Sequence, residues 1–187
     1  MKVAFTGASS TGKTTLANTL RKDPWIKSYL PLFITVDARS MLTSRGFQSM
    51  DQMPISDRRV FQVDYLSKKL ALEEGQDNYL TDRSFLDLAA YWIERDAAGL
   101  KLSNADAYVD RCRHEIGRYD IHFFFPYGCI PFKSDGYRSD NISFHARIDS
   151  RIQNLITEWN VKVVRLDAVG LTKRREIVLE CLKDLSS

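Results

Sequence analysis

Residues 2–15 read KVAFTGASSTGKTT, and this stretch decides the fold. It begins with a short apolar run, Lys2 to Thr6, which is typical of a buried strand. The next residues, Gly7 to Thr14, fit the pattern G-x-x-x-x-G-K-[ST] at every fixed position. Apolar residues at helical spacing then continue to Leu20. The chain is therefore predicted to open as strand, glycine-rich loop and helix.

The loop has the chemistry of a phosphate cradle. Its glycines let the backbone pass close to a phosphate, and its N–H groups and the positive end of the next helix point at the anion. Lys13 would bring a full charge to the β- and γ-phosphates, and the Thr14 hydroxyl would bind Mg²⁺. The sequence therefore predicts a site for ATP with Mg²⁺. The residues expected to hold the nucleotide are Gly7, Ser9, Ser10, Thr11, Gly12, Lys13, Thr14 and Thr15.

Four further apolar runs repeat the strand signal along the chain. They are Leu32 to Val36, Tyr79 to Thr81, Ile121 to Phe125 and Val161 to Leu166. Helical patterns separate them, and this alternation favours a parallel sheet with helices on both faces. The sequence predicts an α/β three-layer sandwich with a five-stranded parallel sheet, as one domain over residues 1–187. Asp23-Pro24 is expected to stop the first helix.

Length and composition limit the class of protein. The chain has 187 residues, of which 44% are hydrophobic and 27% charged, as in an ordinary globular domain rather than a disordered or fibrous one. No apolar stretch approaches the roughly 20 residues of a membrane span, so no membrane partner is expected. Three scattered cysteines without metal-ligand spacing favour a cytoplasmic protein. The net charge of +3 suits either a polyphosphate site or a weak nucleic-acid surface, and a homodimer is left open.

An acid and an arginine follow the third apolar run, in the sequence Thr81-Asp82-Arg83-Ser84. Ligands of open parallel sheets gather at the carboxyl ends of the strands. Asp82 is therefore expected to hold Mg²⁺ together with Thr14, and Arg83 to contact the acceptor or the transferring phosphoryl group. The alternative is a local ion pair between Asp82 and Arg83. Ser84 fits a capping box with Asp87 in either case.

A polar, turn-rich stretch follows the fourth apolar run and predicts a lid over about residues 127–151. A lid that closes over ATP would bring arginines to the transferring phosphoryl group, whose charge is spread over its oxygens. The alternative is a solvated loop and a surface helix with routine ion pairs, for which Asp149 is available. Arg138 and Arg147 are the catalytic candidates. The stretch carries Lys133, Asp135-Gly136, Arg138, Arg147 and Arg151.

Three polar residues are candidates for binding the acceptor. Asp37 and Arg39 follow the second apolar run, where Asp37 would act as general base and Arg39 would bind an acceptor phosphate. Asp37 is about equally expected to be only a helix cap. Gln62 lies in a long helical pattern and would pair with a base edge, although such glutamines more often lie on the surface. Tyr91-Trp92 has core-like spacing and is expected to pack inside.

These motifs together resemble the P-loop nucleoside and nucleotide kinases over most of the chain. Asp82-Arg83-Ser84 is similar to the Asp/Glu-Arg-Ser motif of deoxynucleoside kinases, and Gln62 is placed like their base-reading glutamine. Residues 135–138 resemble the lid of a group that includes the nicotinamide riboside kinase domain and thymidylate-kinase-like phage members. That group tends to carry Glu where this chain has Val36, with Asp37 one place later. The resemblance implies a P-loop NTPase sheet with the strand order 2-3-1-4-5.

Three functions remain open at this stage. The first is transfer of the γ-phosphate of ATP to a small nucleoside- or nucleotide-like acceptor. The second is a kinase acting on a hydroxymethylated pyrimidine in DNA, and the third is an ATPase or switch module that works with a protein partner. A DNA path would be lined by basic residues outside the nucleotide site, namely Arg111, Arg113, Arg118, Lys173, Arg174 and Arg175.

Overall fold

The computed structural model describes residues 1–96, 105–132 and 141–186. Its five strands form one sheet in the order β2-β3-β1-β4-β5, and every neighbouring pair is parallel. The predicted fold class and strand order are therefore confirmed. The strands are β1 Lys2–Thr6, β2 Leu32–Ile34, β3 Tyr79–Asp82, β4 Ile121–Phe124 and β5 Val163–Arg165.

The two edge strands are shorter than their apolar runs predict. Strand β2 pairs only with β3 and ends at Ile34, opposite Thr81, whereas the apolar run continues to Val36. Strand β5 pairs only with β4 and likewise covers fewer residues than the run from Val161 to Leu166. An edge strand has one neighbour to hold its backbone, so apolar residues beyond the last paired position pack into the core without being part of the ladder.

Helices cover the sheet between the strands. Short 3₁₀ turns at Met50–Gln52 and Ile116–Arg118 complete the ordered elements. Within the described residues, no helix is long and apolar enough to cross a membrane. The helices are α1 Lys13–Leu20, α2 Pro24–Tyr29, α3 Ala38–Thr43, α4 Ile55–Glu73, α5 Phe85–Asp96, α6 Ala105–Glu115, α7 Ile142–Glu158 and α8 Leu171–Ser186.

Asp23-Pro24 ends α1 as expected, but it also begins α2, which the sequence analysis missed. The Asp23 carboxylate accepts hydrogen bonds from the backbone N–H groups of Trp25 and Ile26, and Pro24 takes the first helical position. Proline is favoured there because the first helical N–H has no partner within the helix. The same dipeptide therefore both stops one helix and caps the next.

The sheet separates two hydrophobic clusters. Successive residues of a strand point to opposite faces, so Val3 and Phe5 of β1 pack with Leu20 of α1 and Val178 of α8. Ala4 points the other way, into a larger cluster formed with α4, α5 and α7. The fold is thus three layers, and the carboxyl ends of β1, β2 and β3 meet at one edge of the central layer.

Candidate functional site

The loop after β1 has a backbone that requires glycine at two positions. Gly7 has φ +149°, and a Cβ added there would lie 2.5 Å from the carbonyl oxygen of Phe125. Gly12 has φ +89°, and its Cβ would approach the Arg174 guanidinium to 3.1 Å and Ile130 to 3.2 Å. A side chain at Gly7 would collide with the backbone of Phe125, and one at Gly12 would strain a left-handed backbone that other residues rarely adopt. The two fixed glycines of the sequence pattern therefore shape this loop directly.

Lys13 lies inside the loop. Its Nζ donates to the carbonyl oxygens of Gly7 and Ala8, both at 2.7 Å, and to Thr11 Oγ1 at 3.2 Å. Burial, and then the nearby Arg83 charge, lower the pKa of Lys13. The ammonium group thus stands where phosphate oxygens would replace its loop partners, as predicted for a nucleotide site.

Asp87 fixes the first residues of the loop, a role that sequence reasoning missed. Its carboxylate is fully buried and accepts hydrogen bonds from Thr6 Oγ1 at 2.5 Å and from the Gly7 N–H at 3.0 Å. It also accepts bonds from the backbone and hydroxyl of Ser84, while Ser84 Oγ accepts from the Leu86 N–H. The capping box is present as expected. Because the capping box already accounts for an acid at position 87, the sequence gives no reason to expect that Asp87 also binds the phosphate loop.

Thr14 and Asp82 meet at the end of the loop, where Thr14 Oγ1 donates a hydrogen bond to Asp82 Oδ2. They come from α1 and β3, and both side chains line the same pocket. A hydroxyl and a carboxylate oxygen suit Mg²⁺, which binds oxygen ligands and keeps several of its waters. The two residues predicted to hold the metal are therefore neighbours in the structure.

Arg83 follows Asp82 with a left-handed backbone, φ +86°, which is strained for a residue with a side chain. Its guanidinium donates to Ser9 Oγ at 3.3 Å and lies 4.9 Å from the ring centroid of Tyr91. The ion pair that it forms, at 3.8 Å, is with Asp87 rather than with Asp82. Arg83 therefore stands beside the phosphate loop, within reach of a phosphoryl group.

A buried charge network supports the backbone of Arg83. Lys69 of α4 is 2% exposed, and its Nζ donates to the Arg83 carbonyl at 2.7 Å and to Thr81 Oγ1 at 2.8 Å. Its third partner is Glu73, at 2.5 Å, which in turn accepts a hydrogen bond from Tyr119 at 2.9 Å. Every donor of the ammonium group is thus used, which makes the buried charge tolerable.

The loop opens into a pocket of about 950 Å³ at the carboxyl edge of the sheet. The phosphate loop, Asp82 and Arg83 lie at its walls, as do the predicted acceptor residues Asp37, Arg39 and Gln62. Residues that the structure adds to this surface include Phe61, Tyr65, Leu88, Tyr91, Arg95, Tyr108, Ile130 and Pro131.

The position of Asp37 fits both interpretations of this residue, as a helix cap and as part of the pocket. Its carboxylate caps α3 by accepting from the N–H groups of Arg39 and Ser40 and from Ser40 Oγ, and it also lines the pocket. The hydrogen bonds from the Ser40 hydroxyl and backbone lower the pKa of Asp37. A carboxylate held in this way is a weak proton acceptor, so the geometry favours a positioning role over general-base catalysis.

Gln62 is 7% exposed and lines the pocket. No described residue forms a hydrogen bond with its side-chain oxygen. A buried amide oxygen without a partner is costly, and a ligand with a hydrogen-bond donor would relieve that cost. Gln62 is therefore not on the surface, and its placement suits the predicted reading of a base edge.

The expectation that Tyr91-Trp92 packs entirely inside is wrong for Tyr91. Trp92 does lie in the core, stacked on Tyr108 with ring centroids 4.1 Å apart. Tyr91 lines the pocket instead, and its hydroxyl bonds to the N–H and the side chain of Ser9 at 3.2 and 2.8 Å. Arg95, one turn further along α5, also lines the pocket and was missed because a charged residue near a helix end has no motif.

The lid prediction is only partly covered by the described residues. Lys133, Asp135-Gly136 and Arg138 lie outside them, so no position is assigned to the Arg138 candidate. Arg147 and Arg151 of α7 both pair with Glu94 of α5, at 3.3 and 3.0 Å, and neither lines the pocket. The structure therefore does not bring Arg147 to the phosphate loop. Asp149, the partner that the alternative interpretation suggested, accepts from the Tyr127 N–H and from Gln153.

Most of the basic residues considered for a DNA path are engaged within the protein. Arg174 is 2% exposed and donates to the Thr11 carbonyl at 2.7 Å, so it supports the phosphate loop from behind. Four of the others are paired on the surface or near it, whereas no ion pair of Arg113 is found among the described residues. These pairs are Arg111 with Glu115, Arg118 with Glu115, Lys173 with Glu176 and Arg175 with Asp23.

Residues 2–174 match the model of a protein family described as an AAA domain. This match covers most of the chain. No curated protein matches the chain at a significant level.

Solved structures of two kinds share the fold at low sequence identity. The deoxyadenosine kinase of M. mycoides with bound dATP aligns over 98% of this chain and 100% of its own, with a TM-score of 0.70 and 12% identity. The NadR protein in complex with NR aligns over 98% of this chain, with a TM-score of 0.65 and 16% identity. This chain spans 50% of that NadR chain. NadR in complex with NAD and AMP-PNP aligns with a TM-score of 0.61 and 18% identity, over 95% of this chain and 47% of its own.

Proposed function

The chain belongs to the AAA domain family and has the fold of P-loop nucleoside and nucleotide kinases, and from this premise we propose that it transfers the γ-phosphate of ATP to a small nucleoside- or nucleotide-like acceptor. One observation carries the proposal. A single pocket joins a complete phosphate loop to a buried glutamine, whose side-chain oxygen has no hydrogen-bond partner among the described residues, and to aromatic side chains. The first feature fits the triphosphate of ATP, and the second fits a heterocyclic base.

On the ATP side, the loop N–H groups and Lys13 hold the β- and γ-phosphates. The two oxygens of Thr14 and Asp82 would hold Mg²⁺, which neutralises charge on the phosphates when it is bound. Asp87 keeps the start of the loop in place through Thr6 and Gly7. Deoxyadenosine kinase and NadR, both of similar fold, have been crystallised with dATP and with AMP-PNP respectively, which supports ATP as the donor.

On the acceptor side, Gln62 would pair with the base edge and Tyr65 and Phe61 would pack against the ring. Arg39 and Asp37 line the pocket after β2 and would orient the group that receives the phosphoryl. Arg83 is placed to stabilise charge that develops on the transferring oxygens. Catalysis of this reaction rests on positioning and electrostatics, so a weakly basic Asp37 is no obstacle.

ADP production from ATP and Mg²⁺, measured across a panel of acceptors, tests the proposal. The panel contains nucleosides, nucleoside monophosphates, nicotinamide riboside and hydroxymethylated DNA. We expect ADP release to depend on one small acceptor and to be near background with ATP alone. A response only to the DNA would replace this proposal with base modification, and hydrolysis that no acceptor stimulates would replace it with an ATPase or switch.

A further inference from the structure

We propose that Arg83 and Arg95 form an anion subsite at the acceptor side of the pocket, so that the acceptor is a phosphate monoester, a nucleoside monophosphate rather than an uncharged nucleoside. The inference rests on the proposed function and narrows its substrate. It also assigns a binding role to Arg95, which belongs to none of the motifs in the sequence.

A stripe of side chains on α5 leads from the phosphate loop to Arg95. Asp87, Tyr91 and Arg95 are spaced by four residues, so they lie on one face of the helix. Asp87 binds the Gly7 N–H and Tyr91 binds Ser9, which places the first two at the loop. Arg95 is the next position outward on the same face, and it lines the same pocket.

Aromatic rings hold the two arginines near each other. The guanidinium carbon of Arg83 lies 4.9 Å from the ring centroid of Tyr91, and that of Arg95 lies 5.7 Å from the same centroid. Arg95 also lies 5.1 Å from the ring centroid of Phe144 on α7. Two like charges thus lie beside one ring at the pocket wall, and the charge of Arg83 acts on Arg95. A bound anion that contacts both would relieve their repulsion.

Arg95 has no counter-charge among the residues that the structure describes: none of them forms an ion pair or hydrogen bond with its guanidinium group. Its neighbour Glu94 is taken by Arg147 and Arg151. Burial is the main cause that lowers the pKa of Arg95, with Arg58 and Arg83 adding to it, and the opposing effects of Tyr91 and Asp51 do not offset it. A bound anion would supply the charge that this site lacks.

Phosphate is the anion that this arrangement suits best. Arginine offers planar, paired donors that match phosphate oxygens, and two arginines match the two charges of a monoester. The chemistry of phosphoryl transfer is consistent with a phosphate monoester as the acceptor. An oxygen of the monoester dianion would attack the γ-phosphorus, the bond from that phosphorus to the bridging β–γ oxygen would break, and ADP and a nucleoside diphosphate would result. This nucleophile is already deprotonated at neutral pH and needs no general base, which fits the weakly basic Asp37.

Calorimetry on the full chain saturated with AMP-PNP and Mg²⁺ separates this inference from the proposed function. Nucleoside 5′-monophosphates and the matching nucleosides are titrated into the native protein and into the variants Arg95→Met and Arg95→Lys. Arg21→Met is the matched control, because Arg21 also lies over an aromatic ring, that of Phe33 at 5.2 Å, but does not line the pocket. Thermal melting of each variant confirms that it is folded.

We expect the native protein to bind one monophosphate more tightly than its nucleoside. Arg95→Met should weaken that monophosphate by about tenfold to a hundredfold, the loss of a charge-assisted hydrogen bond, and leave the nucleoside within about twofold. Arg95→Lys should retain part of the affinity, and Arg21→Met all of it. Equal affinity for nucleoside and monophosphate, or an equal loss of both in Arg95→Met, would overturn the anion subsite while the proposed function stands. Binding of AMP-PNP without binding of either acceptor would overturn both.

Discussion

At the scale of single residues, Asp87 connects the phosphate loop to α5, the helix that places Tyr91 and Arg95 at the pocket. One fully buried carboxylate accepts four hydrogen bonds, from Thr6, Gly7 and the backbone and hydroxyl of Ser84. A carboxylate can accept at all these sites, whereas an amide offers one acceptor oxygen and two donors. The loop conformation therefore depends on an acid at this position.

Replacing Asp87 with Asn should weaken ATP binding and the fold together. The amide nitrogen would face donors that it cannot bond to, at a cost of about 1–3 kcal/mol for each buried group left unsatisfied. Urea unfolding and nucleotide-binding assays measure the two effects. Asp57→Asn is the control, because Asp57 is an acid that is only partly buried, in the first turn of α4. Native stability and affinity in Asp87→Asn would contradict this role.

The sequence could predict those site residues that lie close together along the chain. Gly7, Gly12, Lys13 and Thr14 follow from the spacing of one loop, because consecutive residues build that site. Arg95 does not, since its function depends on α5 running along a pocket wall, which a four-residue spacing does not reveal.

At the scale of elements, α4 carries an ion pair inside the core. Lys69 and Glu73 are one turn apart on the helix, and both are at most 2% exposed. In the sequence this pair looks like a routine surface bridge, and only packing against Tyr119 and Arg83 reveals otherwise. Helix α4 therefore connects Gln62, which lines the pocket, to the strained backbone at Arg83.

Lys69→Met should destabilise the protein by about 3–5 kcal/mol, because the buried Glu73 carboxylate loses its hydrogen-bonded counter-charge and keeps only Arg118, at 3.6 Å. The double variant Lys69→Met/Glu73→Met should be more stable than the single one, since neither charge remains. Chemical denaturation measures both, with Lys68→Met as the control on the exposed neighbouring position. A double variant less stable than Lys69→Met would show that the pair itself is not the source of the effect.

The end of a helix could be predicted where a single residue, such as a proline, prevents the helix from continuing. Asp23-Pro24 illustrates the limit, because the proline that cannot continue α1 is also well suited to the first position of α2. The extent of β2 could not be predicted, since Val36 is as apolar as Ile34 and only the pairing with β3, which stops at Ile34 opposite Thr81, defines the end of the strand.

At the scale of the whole molecule, the buried His122 of β4 links stability to pH. Burial is the main cause that lowers the pKa of His122, from 6.5 to about 4, with nearby Lys69 adding to it and Asp87 opposing it. Because the folded state then binds a proton less readily than the unfolded chain, stability is full above about pH 6.5 and falls as the pH approaches about 4. The full loss amounts to about 3 kcal/mol.

His122→Phe should flatten this part of the pH profile. Free energies of unfolding measured between about pH 4 and pH 7 in both proteins isolate the histidine, because the two chains carry the same carboxylates. His114 is exposed, so His114→Phe should keep the native slope. An unchanged slope in His122→Phe would assign the acid sensitivity to other groups.

Some features of the overall architecture could be predicted from the sequence pattern, and others could not. Alternation of apolar runs with helical patterns predicts a parallel sheet, because parallel strands need helical crossovers. The strand order came from resemblance alone, as no pattern in the sequence states which strands are neighbours. Arg147 was expected at the phosphate loop but pairs with Glu94. This pair depends on the packing of α5 against α7, two helices that are far apart in the sequence, so the sequence did not reveal it.

The most direct test of the central claim follows the labelled γ-phosphate of ATP in the presence of Mg²⁺ and the acceptor selected by the panel. The label should appear in the acceptor in step with ADP. Lys13→Ala should abolish this transfer while its circular dichroism spectrum and cooperative melting stay native. Label released only as inorganic phosphate, at a rate that the acceptor does not change, would contradict the account, as would undiminished transfer by Lys13→Ala.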